Sequence, residues 1–149
     1  MTTVGGPTDG DESVSRLVNS IFLAAADLTR AGDLLAAPDG LTAARWLVLG
    51  ALADGPLRVA DIARRRGLTR QSARESIGRL TRDRMVERRA NPDDARAPLF
   101  ALTQTARDAL DAIEPRRAAW AARLLSHVDR SDLEATERTL ERLRARLMS

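Results

Sequence analysis

The chain has 149 residues, 44% of them apolar and 30% charged, with a formal net charge of +3. That length suits one domain with a real core, and the balance of apolar to charged residues is that of a globular protein rather than a disordered one. With no cysteine and a single histidine, His127, the chain has no disulfides, no thiolate metal sites and no thiol redox chemistry, and too few ligands for zinc.

No run of about 18 apolar residues occurs, so no membrane-spanning helix and no membrane partner are expected. Residues 1–12 are rich in Gly, Thr and Asp, with no basic start and no apolar stretch. They read as a loose, solvated tail and not a secretory signal, and the protein is expected in the cytoplasm. Every one of the 24 basic residues is Arg. Codon usage in a GC-rich genome accounts for that bias as readily as phosphate recognition does.

From residue 13 to about 37, Val14, Leu17, Val18, Ile21, Leu28 and Leu35 keep the three-and-four spacing of one helix face. Pro38, Asp39 and Gly40 end that helix. A second, strongly apolar helix is expected over about 42–53 through Trp46, Leu47, Leu49 and Leu52, stopping at Asp54, Gly55 and Pro56. Residues 59–66 predict a short third helix with Val59, Ile62 and Ala63 inward and Gly67 as its left-handed C-terminal cap. Thr69 offers an N-cap hydroxyl to a fourth helix whose Ala73, Ile77 and Leu80 face inward. Residues 85–89 and 99–102 are short extended runs that bracket a turn-rich loop and predict a hairpin. Thr103 caps a long fifth helix to about residue 128, sharing a face between Ala106, Leu110, Ile113, Trp120 and Leu124, with a bend expected at Pro115. Ser131 to Glu134 reads as a capping box for a last helix, which repeats Leu133, Leu140 and Leu147 at intervals of seven, with Leu143 between.

Two short helices joined by a tight turn and followed by a hairpin form a winged helix-turn-helix, so the expected class is mainly α with a small β wing. Residues 58–102 hold twelve arginines against six acids, a local balance of +6 that leaves the rest of the chain at −3. Positive charge concentrated in this way attracts a polyanion, and double-stranded DNA is the expected partner. Arg70, Gln71, Ser72 and Arg74, on the first turns of the second helix of the motif, are candidates to reach base edges, against the plain alternative of a solvated helix face. Arg64, Arg65, Arg66, Arg82, Arg88 and Arg89 are candidates for phosphate contacts, about half of which should touch DNA. The apolar stripes of the terminal helices exceed what one small lobe can cover, which points to a homodimer built by both chain ends. The expected organisation is a tail over 1–12, a helical dimerisation region over 13–40 and 103–149, and a DNA-binding lobe over 41–102.

The order of elements, residues 57–67 and 80–88, and above all the run Asn91-Pro92-Asp93-Asp94-Ala95-Arg96-Ala97 followed by Leu102-Thr103 resemble the MarR family of bacterial transcription regulators. The resemblance covers about residues 13–148. It implies a homodimer, usually a repressor, on a pseudo-palindromic operator, with each recognition helix in a major groove and each wing tip sending an arginine into the minor groove. That arginine is Arg96 here, with Asp94 as the acid that holds it. The resemblance also implies a small aromatic or lipophilic effector near the junction of the first, second and fifth helices, where Trp46 and Trp120 are candidate lining residues, although large aromatics are more often simply core. Three positions depart from the family pattern: Arg84 and Ala106 stand where Gly is frequent, and Ala95 replaces a common second wing arginine.

Catalysis has little support. The chain has no nucleophile-base constellation, no Gly-rich phosphate loop and no recognisable acid pair, and no cofactor is expected. His127 reads as a solvent-facing or helix-capping residue. A non-specific architectural DNA-binding protein and a helical module that meets an acidic protein partner are the competing readings, while a metal-sensing winged helix is disfavoured by the missing Cys and single His.

Overall fold

A computed structural model describes residues 9–147. Six helices and one hairpin follow in the order α1 (Asp9–Ala36), α2 (Ala43–Ala51), α3 (Val59–Arg66), α4 (Arg70–Arg82), β1 (Val86–Arg89), β2 (Leu99–Leu102), α5 (Gln104–Leu125) and α6 (Arg130–Leu147), with a 3-10 turn at Ala37–Asp39. The first helix starts four residues before the expected position, so 9–12 belong to α1 and not to a tail, while residues 1–8 lie outside the described ones. Gly40 ends the 3-10 turn in the left-handed region (φ 69°), which a residue without Cβ adopts at no steric cost.

The described residues form two compact units, one up to Leu110 and one from Asp111 onward. The division lies within α5, and α1 belongs to the first unit together with α2, α3, α4 and the hairpin. Asp111 carries the carbonyl one turn before Pro115, and a proline inside a helix has no N–H to bond it.

Within the first unit, Leu49, Leu52, Ile62 and Leu80, which the spacing places in apolar helix stretches, are fully buried together with Val48 and Val86, which it did not single out. Val48 and Leu49 lie on α2 and Leu52 just past its end. Each contributes about 2 kcal/mol on burial, against about 0–1 kcal/mol for an exposed ion pair, so this core holds the lobe together and its surface arginines are left to other roles. Leu47, expected in the same buried helix, is 53% exposed because it lies on the opposite side of α2 from Leu49 and Leu52.

Alpha1 is locked onto the start of α2 by two features. Asp33 Oδ1 accepts from Ala43 N at 2.7 Å, satisfying an amide that the helix cannot. At Gly32 the backbones approach so closely that a Cβ would sit 2.8 Å from Ala43 Cβ. Thr42 caps the same terminus through Arg45 N.

The hairpin is antiparallel with Val86 opposite Leu102 and Arg89 opposite Leu99. Leu57 adds an isolated antiparallel bridge to Phe100, exchanging both backbone hydrogen bonds with it at 3.0 and 2.8 Å. In the second unit, α6 starts at Arg130, so Ser131 lies inside the first turn rather than ahead of it. The Asp129 carbonyl takes the first amides, and the expected capping box is replaced.

Candidate nucleic-acid interface

Three residues after Gly67, α4 begins. Gly67 takes the left-handed conformation (φ 63°, ψ 31°) that ends α3, and Thr69 accepts from Ser72 N at 3.0 Å to start α4. With Ala73, Ile77 and Leu80 buried, the side of α4 next to the hairpin is free to carry Arg70 and Arg74. Across from them stand Arg88 on β1 and Arg96 in the wing loop, and Arg58 closes the end before α3. These five arginines line one cleft of about 810 Å³, floored by Ile77, Gly78, Thr81, Pro98 and Phe100. Arg70, Arg74, Arg88 and Arg96 make no ion pair with the described residues and are exposed. The cleft is therefore a concentration of uncompensated positive charge with donor forks suited to phosphate.

Arg58 differs from the other four. Its Nε donates to Asp61 Oδ2 at 2.7 Å, and the hydrogen bond to Asp61, the charge of Asp61 and, more weakly, that of Asp94 push its pKa upward. Asp61 also takes Arg64 Nη2 at 3.0 Å, and its carboxyl is held below the usual range, first by the Arg58 hydrogen bond.

The wing loop is fastened from inside. Asn91 Nδ2 donates to the Ala97 carbonyl at 2.8 Å, Asp93 N donates to Asn91 Oδ1 at 3.1 Å, and Ala97 N closes a turn on the Asp94 carbonyl at 3.1 Å. Asp94 Oδ1 accepts from the backbone N of Arg96 at 2.9 Å. The acid thus holds residue 96 by its main chain and leaves the guanidinium unengaged.

The family profile described as "MarR family" matches residues 39–97, the stretch that carries the helix-turn-helix and most of the wing. An uncharacterized protein of Mycobacterium tuberculosis is 38% identical over 132 residues, covering 89% of this chain and 92% of its own. The transcriptional activatory protein BadR of Rhodopseudomonas palustris is 30% identical over 131 residues, covering 84% of this chain and 74% of its own. The chain belongs to the MarR family. It is accordingly a DNA-binding transcription regulator and not an enzyme. The crystal structure of a mutant MarR from E. coli complexed with operator DNA shares the fold, with a TM-score of 0.80 at 18% identity over 91% of this chain and 99% of that one.

In this MarR-family chain the other expected contact residues are scattered. Ser72 is engaged in the Thr69 cap, its Oγ accepting from Thr69 Oγ1 at 2.9 Å, and faces away from the cleft. Gln71 Nε2 donates to Glu75 Oε1 at 2.9 Å. Arg65 and Arg66 turn toward the end of α2: Arg65 Nη1 reaches the Ala51 carbonyl at 3.4 Å, and Arg66 is half-buried against Gly50 with its Nε unpartnered. Both side chains leave from the last turn of α3, which packs on α2. Arg89 is paired with Glu87 at 2.6 Å, and Arg82 is exposed with no ion pair to the described residues. Trp46 and Trp120 are both half-buried and lie in different compact units. His127 sits just past α5 with Nδ1 3.0 Å from the Arg123 carbonyl, in keeping with a capping role.

Arg58 was missed as a site residue. Its signal was the Leu57–Phe100 bridge, which draws the residue before α3 to the wing but leaves no trace in a single Leu among loop residues. Among the described residues, no helix is long and apolar enough to cross a membrane, and no three His, Cys, Asp or Glu residues group as metal ligands.

Proposed function

We propose that the protein acts as a homodimeric regulator that binds a pseudo-palindromic operator, with α4 of each chain in a major groove and Arg96 of each wing in the neighbouring minor groove. The observation that carries this reading is the cleft in which Arg58, Arg70, Arg74, Arg88 and Arg96 converge between helix and wing. Arg70 and Arg74 read base edges, while Arg88, Arg82 and Arg64 take phosphates. Dimerisation is supported by apolar side chains left in water. On α1, Phe22 is 72% exposed and Leu34 78%, with Val14, Val18 and Leu23 beside them, and on α6 Leu133, Leu143 and Leu147 are exposed too. Such surface is costly unless another copy covers it. A small aromatic or lipophilic effector, bound near Trp46 or Trp120, then shifts the spacing of the two recognition helices by binding one arrangement more tightly. Repression is the sign of regulation implied by the family resemblance. Activation is the second reading, favoured by the 30% identity to an activatory protein.

The test is an anisotropy titration of labelled operator duplex with Arg74→Ala and Arg96→Ala, using Arg142→Ala on α6 as control. The two cleft variants lose roughly tenfold or more in affinity, and the control loses little. Equal affinities for wild type and all three variants overturn the reading, and equal competition by random duplex favours an architectural protein instead.

A further inference from the structure

We propose that Glu75, a residue outside the arginine cleft, determines operator sequence by selecting a cytosine amino group and by fixing the amide of Gln71 on an adjacent adenine. This rests on the DNA-binding reading above. At about 100° per residue, the face of α4 opposite the buried Ala73, Ile77 and Leu80 is the stripe Gln71, Glu75, Gly78 and Arg82. All four are exposed. In a groove that holds this face of the helix, Gln71 and Glu75 are the side chains that reach toward the bases, with Gly78 one turn on, Arg82 at the far end near the phosphates, and Arg70 and Arg74 to one side.

Glu75 is the one acid on α4, and among the four arginines of that helix it pairs with none; its hydrogen-bond partner is Gln71. A carboxylate has no proton to give, so the Gln71 amide can meet it only through NH2, and the orientation of that amide is fixed by chemistry. Gln71 Oε1 is then turned away as an acceptor while its second N–H remains available. Acceptor and donor side by side match N6 and N7 of adenine. The free lone pairs of Glu75 match the N4 amino group of cytosine, and they repel the O6 and N7 acceptors of guanine, the O4 of thymine and every phosphate.

Gly78 supports the same stripe. A Cβ there would meet nothing within 4 Å, so packing does not ask for glycine, and a mid-helix glycine is destabilising relative to alanine. One turn from Glu75, its missing side chain lets the helix approach the base pairs closely.

The experiment is an unbiased selection of duplex DNA by the full-length protein, its Glu75→Gln variant and its Gln71→Ala variant, followed by affinities for the selected and random duplexes. Wild type enriches a motif with neighbouring cytosine and adenine positions in each half-site. Glu75→Gln loses roughly tenfold in discrimination at the cytosine position and gains affinity for random duplex, and Gln71→Ala relaxes the adenine position. Retention of the wild-type motif by Glu75→Gln, or an equal change on all sequences, overturns the role of Glu75 and leaves DNA binding standing. Failure of the wild type to bind any duplex overturns both.

Discussion

Arg84 holds a conformation that its side chain resists. It is the sole described non-glycine residue with positive φ, at 57°, and it sits where α4 hands over to β1. Met85 N bonds back to the Leu80 carbonyl at 2.9 Å, and Thr103 Oγ1 donates to the Arg84 carbonyl at 2.7 Å, so the turn is closed from both sides despite the absence of glycine. A left-handed L-residue costs about 1–2 kcal/mol, and glycine gives back about 0.5–1 kcal/mol in chain entropy. Arg84→Gly therefore stabilises the protein by about 0.5–1 kcal/mol in urea unfolding, and Arg84→Ala, which keeps Cβ, does not. Asp61 makes a second residue-scale prediction. Its carboxyl is held low chiefly by Arg58, so its contribution to stability is full above the ordinary value of 3.8 and is lost as pH falls through the folded-state value. Asp61→Asn narrows the difference between the urea midpoints at pH 7 and pH 3, and an unchanged difference counts against the Arg58 pairing.

Helix α1 meets α2 through Gly32 and Asp33, and here steric and propensity effects oppose one another. Gly32→Ala gains about 1 kcal/mol as a helix former but forces Cβ to within 2.8 Å of Ala43 Cβ; overpacking of that kind costs about 1–3 kcal/mol. The clash wins, and the urea midpoint falls; a rise shows that the contact relaxes without cost. Elements of this kind were readable from the sequence wherever one local signal settles them. Val59–Arg66, its Gly67 cap, the Thr69 cap and the buried Ala73, Ile77 and Leu80 all follow from spacing and turn chemistry within a dozen residues. What the sequence concealed depends on contacts far apart in the chain. Arg58 joins the cleft through Phe100, the orientation of Arg65 and Arg66 depends on α2, and the salt bridge of Arg45 to Asp83 ties α2 to the end of α4. Leu47 had the residue type of a core position, but only the docking of α2 decides which of its sides is covered.

At the scale of the whole molecule, charge and apolar surface belong to different elements. The arginine cleft lies between α4 and the wing, whereas exposed Phe22, Leu23 and Leu34 lie on α1 and exposed Leu143 and Leu147 on α6. A chain of net charge only +3 binds a polyanion strongly only if its positive charges act together on one surface, and two copies on one duplex double that number. Release of counterions from the contacted phosphates then makes affinity a steep function of salt: with about 6–10 contacts it falls roughly 10³-fold or more between about 50 and 200 mM. The most direct measurement is therefore the affinity of the protein for a selected operator duplex across a salt titration, with stoichiometry read at saturation. Two chains per duplex and a steep linear fall of log affinity against log salt are the predicted result, and one chain per duplex with an affinity indifferent to salt would contradict it.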